Sequence, residues 1–442
     1  TRWNCDCSSD VCSSDYLSNT EDDDVPYEAA KTKTEAWLIS TLSNYFKDND
    51  RISRHDSFFS LGGDSLVATR FVNNIRQQFQ IAMPLAEFFN QSHCLSHLGE
   101  FIDIQPTVIL QTQALPQIQP DREHRFQPFA LNEIQQAYWL GRQGGFTLGN
   151  IPCHYYGEFK VKDMDIQRLT DAWNIIINRH DMLRMTISNN GQQQCLDSVA
   201  DYVITTKDVS QNNEVEIQAS IRQFRDELEA QMFDTTQWPL FELRAHDLGE
   251  NNYLLHFSFD LLIADVWSFL IILDEWHQCY QNIETQLPTL DLTFRDYVLA
   301  EQALQQTNAE KTAWEYWQNR IDTLPAGPVL PLAKQPAEIE KPKFIRLSHR
   351  LSVKQWSLLK QRGKQANLTP SMILCAVYAD VLALWSKSQH FTLNLTLFNR
   401  LPLHPKTQQI VGDFTTLILL ERQASSGLSF EQRAKQLQQQ LV

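Results

Sequence analysis

Apolar residues recur at helical spacing through much of the first hundred positions. Leu38, Ile39, Leu42 and Phe46 share one face of a helix predicted over 31–46. Ala68, Val72, Ile75 and Phe79 do the same for a helix that starts near Ser65. Short apolar segments at 85–89 and 95–102 complete a pattern that predicts a small four-helix bundle over residues 31–102. The period is then lost. Residues 103–128 are rich in Gln and Pro, and Pro106, Pro116, Pro120 and Pro128 disfavour a helix. An extended, semi-rigid connection is expected there. From Phe129 onward, helical stretches (134–140, 167–180, 216–232) alternate with strand-like ones (155–161, 253–260, 391–397), which predicts an α/β domain. In one strand, Tyr253, Leu255, Phe257 and Phe259 take one face and leave Leu254, His256, Ser258 and Asp260 on the other. Residues 267–280 then read as a buried helix.

Composition narrows the function classes. With 442 residues, 43% of them apolar, the chain has material for two or three domains. No apolar run approaches the ~18 residues of a membrane-spanning helix. No basic start or apolar segment of a secretory signal is visible, and a cytoplasmic protein without a membrane partner is expected. The formal charge is −15, from 38 basic and 53 acidic residues, with no basic stripe, which argues against nucleic acid as a partner. Residues 1–30 hold one arginine against eight acids and are expected to be a solvated, disordered tail. Cys5, Cys7 and Cys12 sit in a short repeat there, but no Cys or His partners follow at metal-binding spacing, so no metal site is expected. Residues 1–24 resemble a translated sequencing adapter, and nothing is built on them.

Two motifs carry candidate chemistry. Gly62-Gly63-Asp64-Ser65 stands directly before a predicted helix. Two glycines permit a sharp turn, Asp64 or Ser65 can cap the helix, and a phosphodiester on the Ser65 oxygen would meet the positive end of the helix dipole. The second motif runs from Asp260 through Asp265 to Ser268, where strand meets helix. Carboxylates at such a junction are costly to bury unless paired or used. Two readings stand open: architectural, with Asp260 in a salt bridge and Asp265 as a cap, or a catalytic pair.

The string from Phe58 to Leu66 resembles the attachment motif of peptidyl carrier proteins. The later stretches resemble, in order, the motifs of heterocyclization domains of nonribosomal peptide synthetases. Leu131 to Arg142 resembles an opening LTxxQxAYxxGR, and 179–184 resembles RHxMLR. Asp260, Asp265 and Ser268 fit DxxxxDxxS. Residues 324–332 fit LPxxPxLPL, Thr369-Pro370 leads an apolar helix ending Leu384-Trp385-Ser386, and 412–415 fit GDFT. Ordinary condensation domains carry HHxxxDG at the aspartate junction. Here Leu261 stands at the second histidine position, and an apolar side chain cannot act as a base.

The resemblance implies a phosphopantetheine carrier domain at 31–102, a linker at 103–128 and a heterocyclization domain from 129 to 442. That domain would have a chloramphenicol-acetyltransferase-like α/β fold of two lobes, at about 129–340 and from about 341. It implies 4′-phosphopantetheine on Ser65, installed by a phosphopantetheinyl transferase, with Asp64 flanking the attachment point. It also implies adenylation domains, a downstream carrier domain, and acyl and aminoacyl thioester substrates. Such a domain joins an acyl thioester to a Cys, Ser or Thr thioester and closes a thiazoline or oxazoline, as in siderophore assembly. Asp265 is the first candidate for catalysis or substrate orientation, supported by Ser268. Asp260 is expected to be architectural, Arg184 to be a scaffold partner of an acid such as Asp260, and Asp413 and Thr415 mark a structural motif. His180 is expected to be a hydrogen-bonded core residue. The family's late VVFTS motif is absent, so the second lobe is expected to be incomplete and to lack the family's cyclodehydration residues. Amide formation alone, epimerization and a non-catalytic scaffold are the competing readings. Leu261 disfavours amide formation, and the absent paired histidines disfavour epimerization.

Overall fold

In the first domain, Thr32 accepts a hydrogen bond from the Glu35 amide and opens α1 (Lys33–Tyr45). The protein is seen here as a computed structural model. It describes residues 27–46, 51–58, 61, 63, 65–81, 83, 87–88, 94–106, 117–144, 146–149, 151–304, 308–339, 342, 344, 347–423 and 427–440. Helix α2 (Ser65–Phe79) and α3 (Leu95–Ile104) follow. The predicted faces are the buried ones: Leu38 and Leu42, then Ala68, Val72 and Ile75, then Leu98 and Ile102. Phe58, Phe71 and Phe88 fill the centre, with Phe58 stacked on Phe71 at 6.0 Å and Phe88 edge-on to both. Glu35 is buried beside Arg54, whose Nη2 donates at 2.7 Å and Nε at 3.0 Å. Residues 1–26 of the tail expected at 1–30, Asp64 and most of the predicted helix at 85–89 lie outside the described residues.

The second half of the predicted linker is not a free spacer. Ile118 donates its amide to the Leu403 carbonyl at 3.0 Å. Arg125 grips Asp181 through Nε at 2.7 Å and Nη2 at 3.0 Å. These contacts bind residues 117–128 to the larger domain, because a forked guanidinium–carboxylate pair outweighs the extended preference of the prolines.

The larger domain opens with β1 (Phe129–Ala130), α4 (Glu133–Gly141), β2 (His154–Val161) and α5 (Ile166–Arg179). There follow β3 (Met185–Ile187), β4 (Gln192–Cys195), β5 (Thr205–Asp208), α6 (Glu214–Glu229), β6 (Phe241–Asp247), β7 (Tyr253–Asp260) and α7 (Val266–Gln281). A four-stranded sheet has the order β2-β7-β6-β5, parallel only between β5 and β6, and β1-β4-β3 form a second sheet. Trp173 of α5 and Trp276 of α7 pack against each other and against Phe257 of β7 on one side of the sheet.

The polar face of β7 is buried too. Beneath α6 a chain of hydrogen bonds runs Ser220–His246–His256–Tyr156–Glu158, closed by Arg225 on Glu158. Burial pulls both imidazoles down to about 4, so they are neutral near pH 7.

Helices α8 (Phe294–Leu304), α9 (Asn308–Ile321), α10 (Val353–Ala366) and α11 (Pro370–Trp385) lead to the strand pair β8 (Phe391–Phe398) and β9 (Thr415–Arg422), then α12 (Phe430–Gln439). Leu368, Met372, Ala376, Leu420 and Leu437 form a separate small core here. The expected division near residue 340 is crossed in both directions. Residues 399–414, between β8 and β9, return to the first core through Leu403, Ile410, Val411 and Phe414. The proline loop is held by the later region, with the Thr392 amide on Ala326 O and the Val329 amide on Ser386 Oγ, both at 3.0 Å. Among the described residues, no helix is long and apolar enough to cross a membrane.

Candidate functional site

In the first domain, Ser65 is the first residue of α2. The residue two positions before it explains part of the glycine pair. A Cβ on Gly63 would lie 2.2 Å from the ring of Phe58, which is wholly buried. Gly63 is therefore needed for close approach to the aromatic centre. Helix, glycine and phenylalanine together fix where the chain turns into α2. Such a start offers free amides and a positive dipole end to an anion, and the serine there fits a phosphodiester-linked arm.

In the second domain the aspartate motif is fully buried. Asp260 closes β7 and accepts from Arg142 Nη2 at 2.5 Å and from the Leu262 amide at 3.0 Å. Its partner is thus Arg142 from the end of α4, in place of the expected Arg184. Arg184 sits elsewhere. It pairs with Asp181 at 2.9 Å and donates to the carbonyls of Ile177, Asn178 and Leu196. His180 is hydrogen-bonded to Glu275 at 2.7 Å, which Arg179 also holds.

Asp265 caps α7 by accepting from the Ser268 amide at 2.6 Å. Its Oδ1 also receives Arg400 Nη2 at 3.2 Å, its Oδ2 receives the Phe414 amide at 3.4 Å, and its own amide donates to Gly412 O. Ser268 Oγ donates to Gly412 O at 2.7 Å and accepts from Gly412 N and Arg400. Arg400 lies 4.0 Å over the Phe414 ring and donates to the carbonyls of Thr407 and Ile410. A Cβ at Gly412 would meet Phe294 at 2.2 Å. Asp265, Ser268 and the GDFT stretch therefore form one lock between segments some 150 positions apart. Both oxygens of Asp265 are occupied by this lock. The architectural alternative describes the geometry of both aspartates, with a salt bridge for Asp260 and a cap for Asp265.

Asp413 has a different environment. Its Oδ1 accepts from the Thr415 amide at 3.0 Å, while its Oδ2 has no partner among the described residues. Burial pushes its carboxyl up to about 7; the Thr415 hydrogen bonds oppose this, and the charges of Asp265 and Asp260 add to it. Tyr138, a half-buried residue of α4, is disfavoured as a phenolate by burial and then by the charge of Asp413. Burial likewise raises the Cys153 thiol, with Arg142 opposing and Asp260 and Asp413 reinforcing. Arg142 Nε and Nη1 and Asp260 Oδ2 also lack partners among the described residues. A polar nest thus gathers Tyr138, Arg142, Cys153, Asp260, Asp413 and Thr415. Reading the sequence singled out three of these six by role. Tyr138 and Arg142 stand four residues apart on α4, and that helical spacing is the signal that links them.

Residues 129–442 match the condensation domain family, and residues 36–102 match the phosphopantetheine attachment site family. Bacitracin synthase 1 of Bacillus licheniformis is 35% identical over 408 residues, 91% of this chain and 8% of that protein. A pyochelin synthetase of Pseudomonas aeruginosa is 35% identical over 324 residues, 73% of this chain and 18% of that protein. The chain thus spans less than a fifth of either relative. The EpoB cyclization-docking bidomain of Sorangium cellulosum, a nonribosomal peptide synthetase fragment, superposes with a TM-score of 0.71 at 33% identity, over 84% of this chain and 77% of that one. The fold is the expected one, carrier helices followed by a chloramphenicol-acetyltransferase-like α/β domain. The attachment domain implies 4′-phosphopantetheine. With a family match across more than half its length, the chain belongs to the condensation domain family of nonribosomal peptide synthetases.

Proposed function

We propose that Ser65 carries the phosphopantetheine arm and that the second domain belongs to a heterocyclizing synthetase. The observation that carries this reading is the Asp260–Asp265 junction. It offers no histidine base, Leu261 stands where ordinary condensation domains carry one, and both carboxylates are committed to arginines. Two relatives add support by their names, a phenyloxazoline synthase of a Mycobacterium and the EpoB cyclization bidomain.

In the proposed reaction the amine of a Cys, Ser or Thr thioester attacks an acyl thioester carbonyl. The thiol leaves with the amine's proton, and an amide remains. The side-chain sulfur or oxygen then adds to the amide carbon. The former carbonyl oxygen departs as water, leaving a C=N bond in a five-membered ring. The prosthetic arm supplies the thiol that holds the acyl group as an activated thioester. A thioester is already activated, so the first step needs mainly positioning. Loss of the oxygen needs a proton donor. In this reading Asp260 with Arg142, and Asp265 with Arg400, fix the strand–helix junction on which the substrates are positioned. Adenylation domains and a downstream carrier supply the partners, a siderophore-type heterocycle is the product class, and the transferase's need for coenzyme A supports a cytoplasmic location.

Two measurements test it. With coenzyme A and a broad transferase, the intact protein should gain one prosthetic arm by mass, and Ser65→Ala should gain none; modification of that variant would move the attachment site. In the synthetase that contains this chain, the product should weigh one water less than the open amide. Accumulation of the amide alone would leave a plain condensation enzyme.

A further inference from the structure

The stretch from Leu131 to Arg142 gives the aspartate junction more than Arg142. Gln135 of α4 and Gln193 of β4 are wholly buried and pair through their amides. Gln135 Nε2 donates to Gln193 Oε1 at 3.1 Å, and Gln193 Nε2 donates to Gln135 Oε1 at 2.9 Å. The other hydrogen of Gln135 Nε2 goes to the Leu262 carbonyl at 2.8 Å, and Oε1 also accepts from the Asn132 amide at 3.1 Å. Gln193 sends its second hydrogen to the Ala130 carbonyl at 3.0 Å. Both hydrogens and both acceptor sites of the Gln135 amide are used. Its orientation is thereby fixed, since the flipped amide would set Oε1 against the Leu262 carbonyl.

Leu262 is the middle of the turn 261–263, which leads from Asp260 toward Asp265. Gln135 holds its carbonyl, and Asp260 Oδ1, itself gripped by Arg142, holds its amide at 3.0 Å. The Leu261 amide donates to the Cys153 carbonyl at 3.0 Å, and the Ile263 amide to the Asp260 carbonyl at 3.2 Å. Gln135 and Arg142 stand seven positions apart (142 − 135), two helical turns, and so share one face of α4. At the start of that helix, Asn132 Nδ2 donates to the Asp413 carbonyl at 2.8 Å. Helix α4 thus holds the turn at two points and the GDFT stretch at a third. From Asp260 to Asp265 every residue is buried except Leu261, which is half-buried. The clamp therefore fixes where the one accessible side chain of the junction stands.

We propose that Gln135 is a positioning residue for acyl transfer, which by holding the Leu262 carbonyl sets the turn that presents Leu261 to the bound thioesters. This rests on the proposed acyl-transfer function. A shifted turn alters the geometry of the reacting atoms and leaves the rest of the binding surface in place, so its loss falls on kcat and spares KM. Gln193 separates positioning from stability. It shares the amide pair and the burial of Gln135 but makes no hydrogen bond to the turn.

The test combines kinetics in the synthetase that contains this chain with hydrogen exchange on the chain itself. Gln135→Met keeps the length of the side chain and removes its hydrogen bonds. Its kcat should fall by about 100-fold, with KM for the aminoacyl thioester within a few-fold of wild type. Gln193→Met breaks the same amide pair and leaves the Leu262 bond in place. It should lower the denaturation midpoint as Gln135→Met does, yet keep kcat within a few-fold of wild type. Equal kcat losses in the two variants, or wild-type kcat in Gln135→Met, overturn the proposal. Gln135→Glu supplies a pH readout. Its carboxyl, as the neutral acid, has a hydrogen for the Leu262 carbonyl, and as the carboxylate has none. Its kcat relative to wild type should therefore recover as pH falls, and a ratio that stays at the Gln135→Met level at every pH overturns the proposal. If Gln135→Met does not fold, Gln135→Glu and Gln193→Met decide. In the chain itself, amide exchange across 261–263 should quicken in Gln135→Met and not in Gln193→Met; unchanged protection in both overturns the clamp. A wild type that makes neither amide nor ring fails the functional reading alone, and exchange across the turn still judges Gln135.

Discussion

Arg400, a residue outside the motifs, ties distant segments of the second domain together. Its guanidinium reaches Asp265, Ser268 and two backbone carbonyls from a buried position over Phe414. Removing one partner of a buried pair leaves the other charge desolvated and costs about 3–5 kcal/mol. Asp265→Ala and Arg400→Met should each lower the denaturation midpoint of the large domain by that measure. The double change to apolar residues should recover much of the loss, which a double-mutant cycle reads directly. Wild-type melting of both single variants would show that the lock contributes nothing.

Asp413 should leave a pH signature of opposite sign to a paired carboxylate. Its folded value, about 7, lies above the ordinary 3.8. Between those values the folded chain keeps a proton that the unfolded chain has lost. Stability therefore falls as pH rises through this window, and Asp413→Asn should flatten the slope. Denaturant midpoints from pH 4 to 8 check it. Identical slopes in variant and wild type would mean that Asp413 is ionised throughout.

At the scale of elements, the start of α2 depends on an aromatic ring. Gly63→Ala places a Cβ against Phe58, whose ring is fixed between Phe71 and Phe88 and has nowhere to move. Overpacking of this kind costs about 1–3 kcal/mol. The variant should unfold the small domain earlier and slow modification by the transferase. Phe58→Leu in the same background should restore part of both. A Gly63→Ala variant loaded at the wild-type rate would show that the ring yields. The apolar face of strand β7 was visible in its alternation, but its polar face is buried under α6, where His246 and His256 bond each other. Alternation distinguishes two faces and cannot say that both are covered.

For the whole molecule, the cores tell which parts stand or fall together. The small domain's cluster around Phe58, Phe71 and Phe88 shares no residue with the large one. The first and later regions of the large domain are instead interlocked, by residues 399–414 in one direction and the proline loop in the other. Arg400→Met should therefore make 399–414 sensitive to protease and loosen the proline loop with it, while Ser65 is still modified at the wild-type rate. Loss of modification in that variant would tie the two domains more closely than their cores suggest.

The sequence by itself determined the three described helices of the small domain, the α/β character of the rest, and the family, because periodicity and short motifs are local properties of the chain. It placed Asp260, Asp265, Ser268 and Asp413 in their motifs and left open whether the first two serve as salt bridge and cap. The tertiary structure decided their partners. It chose Arg142 over Arg184 for Asp260, brought Arg400 to Asp265 from 135 positions away, and left Asp413 Oδ2 without a partner among the described residues. It also turned the end of the expected linker into part of the large domain. A carboxylate's role depends on what lies within a few ångströms and on how little water does. Both are set by packing between segments far apart in the chain, and no local pattern encodes them.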